Sequence, residues 1–164
     1  MTHIALPNGG KLLGFESFRL ATATSQTFIQ NMQTAINGLE VAYTPVSAAS
    51  ELLINVDFSG YYASGFNNPP LFGLFKDSSP VGNVGSLLGF DTGLRTRPDY
   101  DANFIESIKA SYRYIDNAAN TDIRTYKATA VFIDPPDNFL YMNRDSVDAT
   151  IRSACFITVM EVAS

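Results

Sequence analysis

The run Ala154-Cys155-Phe156-Ile157-Thr158-Val159-Met160-Glu161-Val162-Ala163-Ser164 limits most severely what this chain can fold into. It has no turn residue and reads as one long strand. Ala154, Phe156, Thr158, Met160 and Val162 share one face; Cys155, Ile157, Val159 and Glu161 share the other. Both faces are largely apolar, so the strand is expected at the centre of a sheet, covered on both sides. A chain that ends on a central strand must be nearly complete before its sheet closes. That suits an all-β sandwich and argues against a free C-terminal tail.

The rest of the sequence repeats the strand signal. Leu39, Val41 and Tyr43 alternate with Glu40 and Ala42, stop at Pro45, and follow the turn signal Asn37-Gly38. From Glu51 to Ser59, Leu52, Ile54, Val56 and Phe58 share a face, with Glu51, Leu53, Asn55 and Asp57 opposite. Ser59 to Pro70 reads as a long connection carrying aromatics. Leu71 to Lys76 is a strand ended by the turn Asp77-Ser78-Ser79-Pro80. Residues 82–103 are Gly-rich and irregular, the expected exposed loop. Phe104 to Ile115 and Thr125 to Ile133 are further strands, the second with Tyr126, Ala128, Ala130 and Phe132 on one face. Residues 19–24 and 139–143 read as short strands, and 27–32 as a strand or a turn of helix. No amphipathic helix of ordinary length is visible. About eight to ten short strands broken by turn chemistry indicate an antiparallel sandwich or barrel, with a jelly-roll β-sandwich the expected form over 19–164. Residues 1–18 read as an N-terminal arm that packs on a neighbour, or as a first strand with a frayed end.

Charge narrows the function. Charged residues make up 16% of the chain, against about 25% in an average soluble domain. With 46% hydrophobic residues, part of the surface is expected to be buried against further copies or another partner. A Ser/Thr/Asn-rich surface is the other reading. The net charge is −5 with no Lys/Arg cluster, so no nucleic-acid partner is expected. No run approaches the ~20 apolar residues of a membrane helix, and Met1-Thr2-His3-Ile4-Ala5-Leu6-Pro7 has no basic stretch or long apolar run, so no secretory signal is visible there. Cys155 is alone and sits in an apolar strand, which makes it a buried small hydrophobe.

Five segments, in order, resemble a known family. They are Thr44-Pro45-Val46-Ser47-Ala48-Ala49-Ser50-Glu51-Leu52-Leu53-Ile54, Phe72-Gly73-Leu74-Phe75-Lys76-Asp77-Ser78-Ser79-Pro80-Val81-Gly82, Thr125-Tyr126-Lys127-Ala128, Asn143-Arg144-Asp145-Ser146 and Phe156-Ile157-Thr158-Val159-Met160-Glu161-Val162. Over residues 40–164 they resemble the jelly-roll modules, similar to tumour-necrosis-factor and complement-type heads, that tailed phages carry as fibre tips, head fibres and capsid decoration proteins. The chain departs from that pattern at Asp77-Ser78-Ser79-Pro80, where a Gly is common, and in the length of 82–103. The resemblance implies a homotrimer in the virion with no enzymatic role. Its partners would be other virion proteins, either the major capsid protein or a fibre or tail component. With so few residues ahead of the first strand, a decoration (cement) protein is expected over a complete fibre. The alternative is a receptor-binding head that contacts a host surface glycan or protein.

Catalytic devices are scarce. The one histidine, His3, lies in the arm, so a Ser-His-Asp or Cys-His device lacks a placed base. No phosphate loop, dinucleotide fingerprint or zinc motif is present, and no cofactor or metal is expected. Asp91, Asp99 and Asp101, and Asp134, Asp137, Asp145 and Asp148, cluster in loops. Their spacing fits no calcium loop, and they read as turn residues. The candidate partner contacts are His3, Ile4, Leu6 and Pro7 in the arm, and Tyr61, Tyr62, Phe66 and Tyr100 in the loops.

Overall fold

Apolar alternation becomes buried alternation wherever the sequence shows it cleanly. In the computed structural model, which describes residues 11–63, 70–81, 105–132, 139–143 and 154–163, the clearest case is β4 (Glu51–Ala63). Its Leu52, Ile54, Val56 and Phe58 are all buried. The other strands are β1 (Leu12–Leu20), β2 (Thr24–Thr27), β3 (Thr34–Tyr43), β5 (Leu71–Lys76), β6 (Ser79–Val81), β7 (Ile105–Asn117), β8 (Arg124–Val131), β9 (Phe139–Met142) and β10 (Cys155–Val162). No helix occurs among the described residues.

The strands form two antiparallel sheets. The six-stranded sheet runs β1-β10-β4-β9-β2, with β7 on the remaining edge of β4; the four-stranded sheet runs β3-β8-β5-β6. The pairing is nested: β1 with β10, β2 with β9, β3 with β8, β4 with β7, and β5 with β6. The first strand thus meets the last, the second meets the second-last, and so on to the inner hairpin. The two sheets pack face to face as a curled sandwich. Phe58 of β4 meets Phe72 of β5 with ring centroids 4.8 Å apart. Leu39, Leu74, Tyr126, Ala128, Ile157 and Val159 fill the same core.

β10 has a strand on each side, as its sequence predicts, but its two faces differ. Cys155, Ile157, Val159 and Glu161 point inward and are fully buried, whereas Phe156, Thr158 and Met160 face away from the second sheet and stay partly exposed. The expectation of cover on both faces therefore fails within one chain.

Three boundaries also differ from the sequence reading. Leu12–Leu20 pairs with β10 from Leu12↔Val162 to Leu20↔Cys155, so an arm through residue 18 is too long. From Leu12 the chain is an edge strand, the other reading of that segment, and residues 1–10 lie outside the described residues. Asn37-Gly38 is not a hairpin turn. It lies inside β3 at a register shift between Ala35 and Glu40, with Gly38 at φ 75°. This is an enlarged bulge: β3 takes five steps from Ala35 to Glu40 while β8 takes two from Thr129 to Lys127, and the odd number of extra residues resets the alternation, so Ile36 and Leu39 both point inward. The Gln26 side chain takes over the interrupted ladder there, donating to the Ala35 carbonyl at 2.8 Å and accepting from the Asn37 N–H at 2.8 Å. Finally, β4 continues past Ser59, because β9 and β7 flank it as far as Ala63.

Candidate functional site

Antiparallel register places the side chains that matter. A row of directly opposed residues crosses the six-stranded sheet as Gly14, Glu161, Leu52 and Asp116. Opposed residues share a face, and this row faces the core, so two carboxylates are carried into the sandwich at one end. Each is held differently.

Glu161 is fully buried and its carboxylate is held by hydroxyls and amides. Oε2 accepts from the Tyr43 hydroxyl at 2.7 Å and the Val46 N–H at 2.8 Å; Oε1 accepts from the Ser47 N–H at 2.9 Å and the Ser50 hydroxyl at 2.5 Å. Burial pushes its carboxyl up, but the bonds from Ser50, Val46, Tyr43 and Ser47 outweigh that and hold it below the usual carboxylate range. Burial and the adjacent Glu161 together push the Tyr43 phenol well up, so it stays a donor. Gly14 makes this geometry possible. A Cβ there would lie 1.9 Å from the Tyr43 hydroxyl oxygen. The strand thins at Gly14, and the tyrosine lies across the gap to reach Glu161.

Asp116 of β7 is held by charge. Its Oδ2 lies 2.7 Å from Lys76 Nζ and 3.4 Å from Arg124 Nη1, and accepts from the Tyr126 hydroxyl at 2.6 Å. Lys76, Arg124 and Tyr126 belong to the other sheet, so the cluster ties the two layers together. Arg124 also donates to the Asn117, Ala118 and Asn120 carbonyls, which fixes the β7–β8 turn.

At the opposite end, Asn143 at φ 59° donates through Nδ2 to the Leu20 carbonyl at 2.6 Å and the Thr22 carbonyl at 3.1 Å. Its Oδ1 faces Cys155 Sγ at 3.1 Å. Burial pushes the Cys155 thiol up to about 11. It is fully buried and acts as a packing group with a weak donor.

These clusters bring the quoted motifs together. The 44–50 segment closes on Glu161 of the terminal motif. Asp77 of the hairpin motif accepts from the Thr125 N–H at 2.8 Å and donates its own N–H to the Thr125 carbonyl at 2.9 Å. Asn143 bridges β1 to β10. All are positioning contacts inside the fold. Among the described residues, no group of three or more His, Cys, Asp or Glu is placed to hold a metal ion.

The face of the six-stranded sheet turned away from the core is the accessible feature. One outward row, Phe15–Met160–Leu53–Ile115, crosses four strands and is wholly apolar. Phe15 is 58% exposed and Ile115 56% exposed at its two ends. The next outward row, Ser17–Thr158–Asn55–Arg113, is polar. Ser17 and Thr158 share a hydrogen bond at 3.0 Å, and Arg113 donates to Asn55 at 2.8 Å. Beyond it the Arg19 guanidinium lies 5.9 Å from the Phe156 ring centroid, a cation–π contact that leaves Phe156 partly exposed.

Of the sequence candidates, His3, Ile4, Leu6, Pro7, Phe66 and Tyr100 lie outside the described residues, as do Asp91, Asp99, Asp101, Asp134, Asp137, Asp145 and Asp148. Tyr61 and Tyr62 belong to β4 and not to a loop, at register positions opposite Tyr141 and Leu140. Sequence reasoning misses the apolar outward row. Its signal within β4 and β10 is Leu53 and Met160 alone, and apolar character there reads equally as internal cover. No family model matches the chain, and no curated protein does.

Proposed function

We propose that the chain is a trimeric, tumour-necrosis-factor-like jelly-roll structural protein of a tailed-phage particle, a decoration protein of the head shell with no enzymatic role. The observation that carries the reading is the nested pairing. A jelly roll is a long antiparallel hairpin rolled into two sheets, and β1 to β5 pair in reverse order with β10 to β6. The segments that resemble the phage modules also make contact pairwise: 44–50 with Glu161, and Asp77 with Thr125. The outward apolar row supports self-association. It lies on a chain whose charged residues, 16% of the total, are too few for an ordinary monomer surface. Copies that bury this face around a closed axis leave no unused interface.

A second reading, a fibre-tip head that grips a host glycan or protein, is favoured by one observation. Phe139 and Tyr141 stack with centroids 6.3 Å apart on the outward side of β9 and are only half-buried.

Sedimentation equilibrium tests the assembly, with Phe15→Ser and Ile115→Ser as variants. Both side chains lie outside the core, so the variants fold. A wild-type mass of three chains that falls to one in the variants is expected; a wild-type monomer at micromolar concentration refutes the trimer. Cryo-electron microscopy of the particle tests the role. Density at three-fold positions of the shell is expected, whereas density at a fibre tip selects the second reading.

A further inference from the structure

The carboxylate of Glu161 uses all its acceptor sites on the last residue of β3 and the short connection that follows it. An ionised carboxylate offers about four lone-pair positions, and Tyr43, Val46, Ser47 and Ser50 fill them. These donors come from the end of β3 and from the 44–50 segment that carries the chain from one sheet to the other. We propose that Glu161 is an acid-released latch: ionised, it clamps the 44–50 connection to β10, and protonated, it lets that connection open while the two sheets stay packed.

The groups around it favour a switch. From β3 the facing titratable group is Tyr43, a donor. From β1 it is Glu16, whose charge raises the Tyr43 phenol and so adds no cation. The 44–50 segment contributes only serine hydroxyls and amides. On β4, Leu52 lies opposite and Glu51 is exposed on the other face. On β7, Asp116 sits two strands away, about 10 Å by ordinary strand spacing, with its charge met by Lys76 and Arg124. Among the described residues no Lys or Arg pairs with Glu161, so nothing but hydrogen bonds keeps it ionised.

Protonation has a specific first casualty. Ser50 has one hydroxyl hydrogen and two acceptors in reach, Glu161 Oε1 at 2.5 Å and the Ser47 carbonyl at 2.7 Å. When Oε1 takes a proton, Ser50 turns its hydrogen to Ser47 and accepts the new one. Oε1 is then a donor and a poorer, uncharged acceptor, so the bond from the Ser47 N–H is weakened. The sign follows from the depressed carboxyl. The clamp is present above the ordinary glutamate range and is lost as pH falls through the lower, folded-state value.

Amide exchange of the intact protein, followed residue by residue by NMR from neutral pH into acid and corrected for intrinsic rates, reads the latch. Local opening at Val46 and Ser47 is expected to rise by about tenfold or more, the loss of a charge-assisted bond, while Leu74 and Ala128 in the core stay protected. Glu161→Gln is expected to show the open connection already at neutral pH, with no further pH response. Tyr43→Phe removes one donor from the carboxylate and is expected to move the opening to higher pH. If Val46 and Ser47 lose protection only in step with Leu74 and Ala128, opening is global unfolding and the latch is refuted. Should Glu161→Gln fail to fold, an unchanged opening midpoint in Tyr43→Phe refutes it equally.

Discussion

Gly14 should be a sensitive position of the edge strand β1, and the reason is a single atom. Replacing it with Ala places a Cβ 1.9 Å from the Tyr43 hydroxyl oxygen and 3.1 Å from the ring carbon that carries it. The first distance is impossible, so the phenol swings away and its 2.7 Å bond to Glu161 breaks. A hydrogen bond to a buried charge contributes about 1.5–3 kcal/mol. Against this, Ala restricts the unfolded chain and returns about 0.4–1 kcal/mol. Gly14→Ala is therefore expected to destabilise by about 1–2 kcal/mol. Tyr43→Phe loses the same bond but creates room, so the two changes overlap. In the Tyr43→Phe background the added methyl meets the ring carbon at 3.1 Å, which yields by a few tenths of an ångström, and Glu161 Oε2 at an ordinary 3.6 Å. The double variant should thus be no worse than Tyr43→Phe by more than about 0.5 kcal/mol, a coupling of about 1–2 kcal/mol. Urea titration followed by far-ultraviolet circular dichroism and tyrosine fluorescence measures it; the chain has no tryptophan to complicate the signal. Additive costs in the double variant would refute the account, because they would mean that the Gly14→Ala methyl disturbs something other than the hydroxyl.

Gly60→Ala is expected to be worse, because the new Cβ lies 2.1 Å from the Tyr141 carbonyl oxygen and backbone cannot rotate away. Loss of the β4–β9 ladder, with destabilisation of about 3 kcal/mol or more, should appear in the same titration. At the β5–β6 hairpin, Asp77 and Ser78 both hold positive φ, 48° and 69°, where glycine carries no steric cost. Ser78→Gly should relieve about 1 kcal/mol of strain, less up to about 0.5–1 kcal/mol of added chain entropy, so thermal melting should show an unchanged or slightly higher midpoint. A clear drop would mean that the Ser78 side chain contributes to the turn.

The legible parts of the sequence are those where one periodicity acts alone. Leu52 to Phe58 and Tyr126 to Phe132 alternate without interruption, and their inward faces are buried as the pattern predicts. Asn37-Gly38 misleads because the same backbone geometry serves a hairpin and a bulge. What decides between them is the partner strand, β8, whose Ala130 opposes Thr34 and whose Lys127 opposes Glu40. The start of β1 is obscured by glycine, which weakens a strand in isolation but here makes room for a tyrosine from the other sheet. Glu161 reads as one polar residue on an apolar face. Its side-chain partners Ser50 and Tyr43 lie 111 and 118 residues earlier in the chain, a separation that local pattern cannot register. The outward face of β10 reads as covered because its residues are apolar. Apolarity reports a preference for burial without saying whether this chain or a neighbouring copy supplies the cover.

The reversed order of strand partners also sets a timetable. With β5–β6 formed, β4 finds β7, and each later pair closes a loop already shortened by the one before it, so the loop entropy is met in small instalments. The pair β1–β10 comes last and brings the two ends of the described chain together, with the Ala163 N–H on the Lys11 carbonyl at 2.9 Å. A circular permutant that joins those ends and is cut at Asp77-Ser78 would keep every pair yet run the sequence backwards, from the old seam inward. Its folding rate against that of the parent would show whether the roll has a fixed starting point or can be wound from either end.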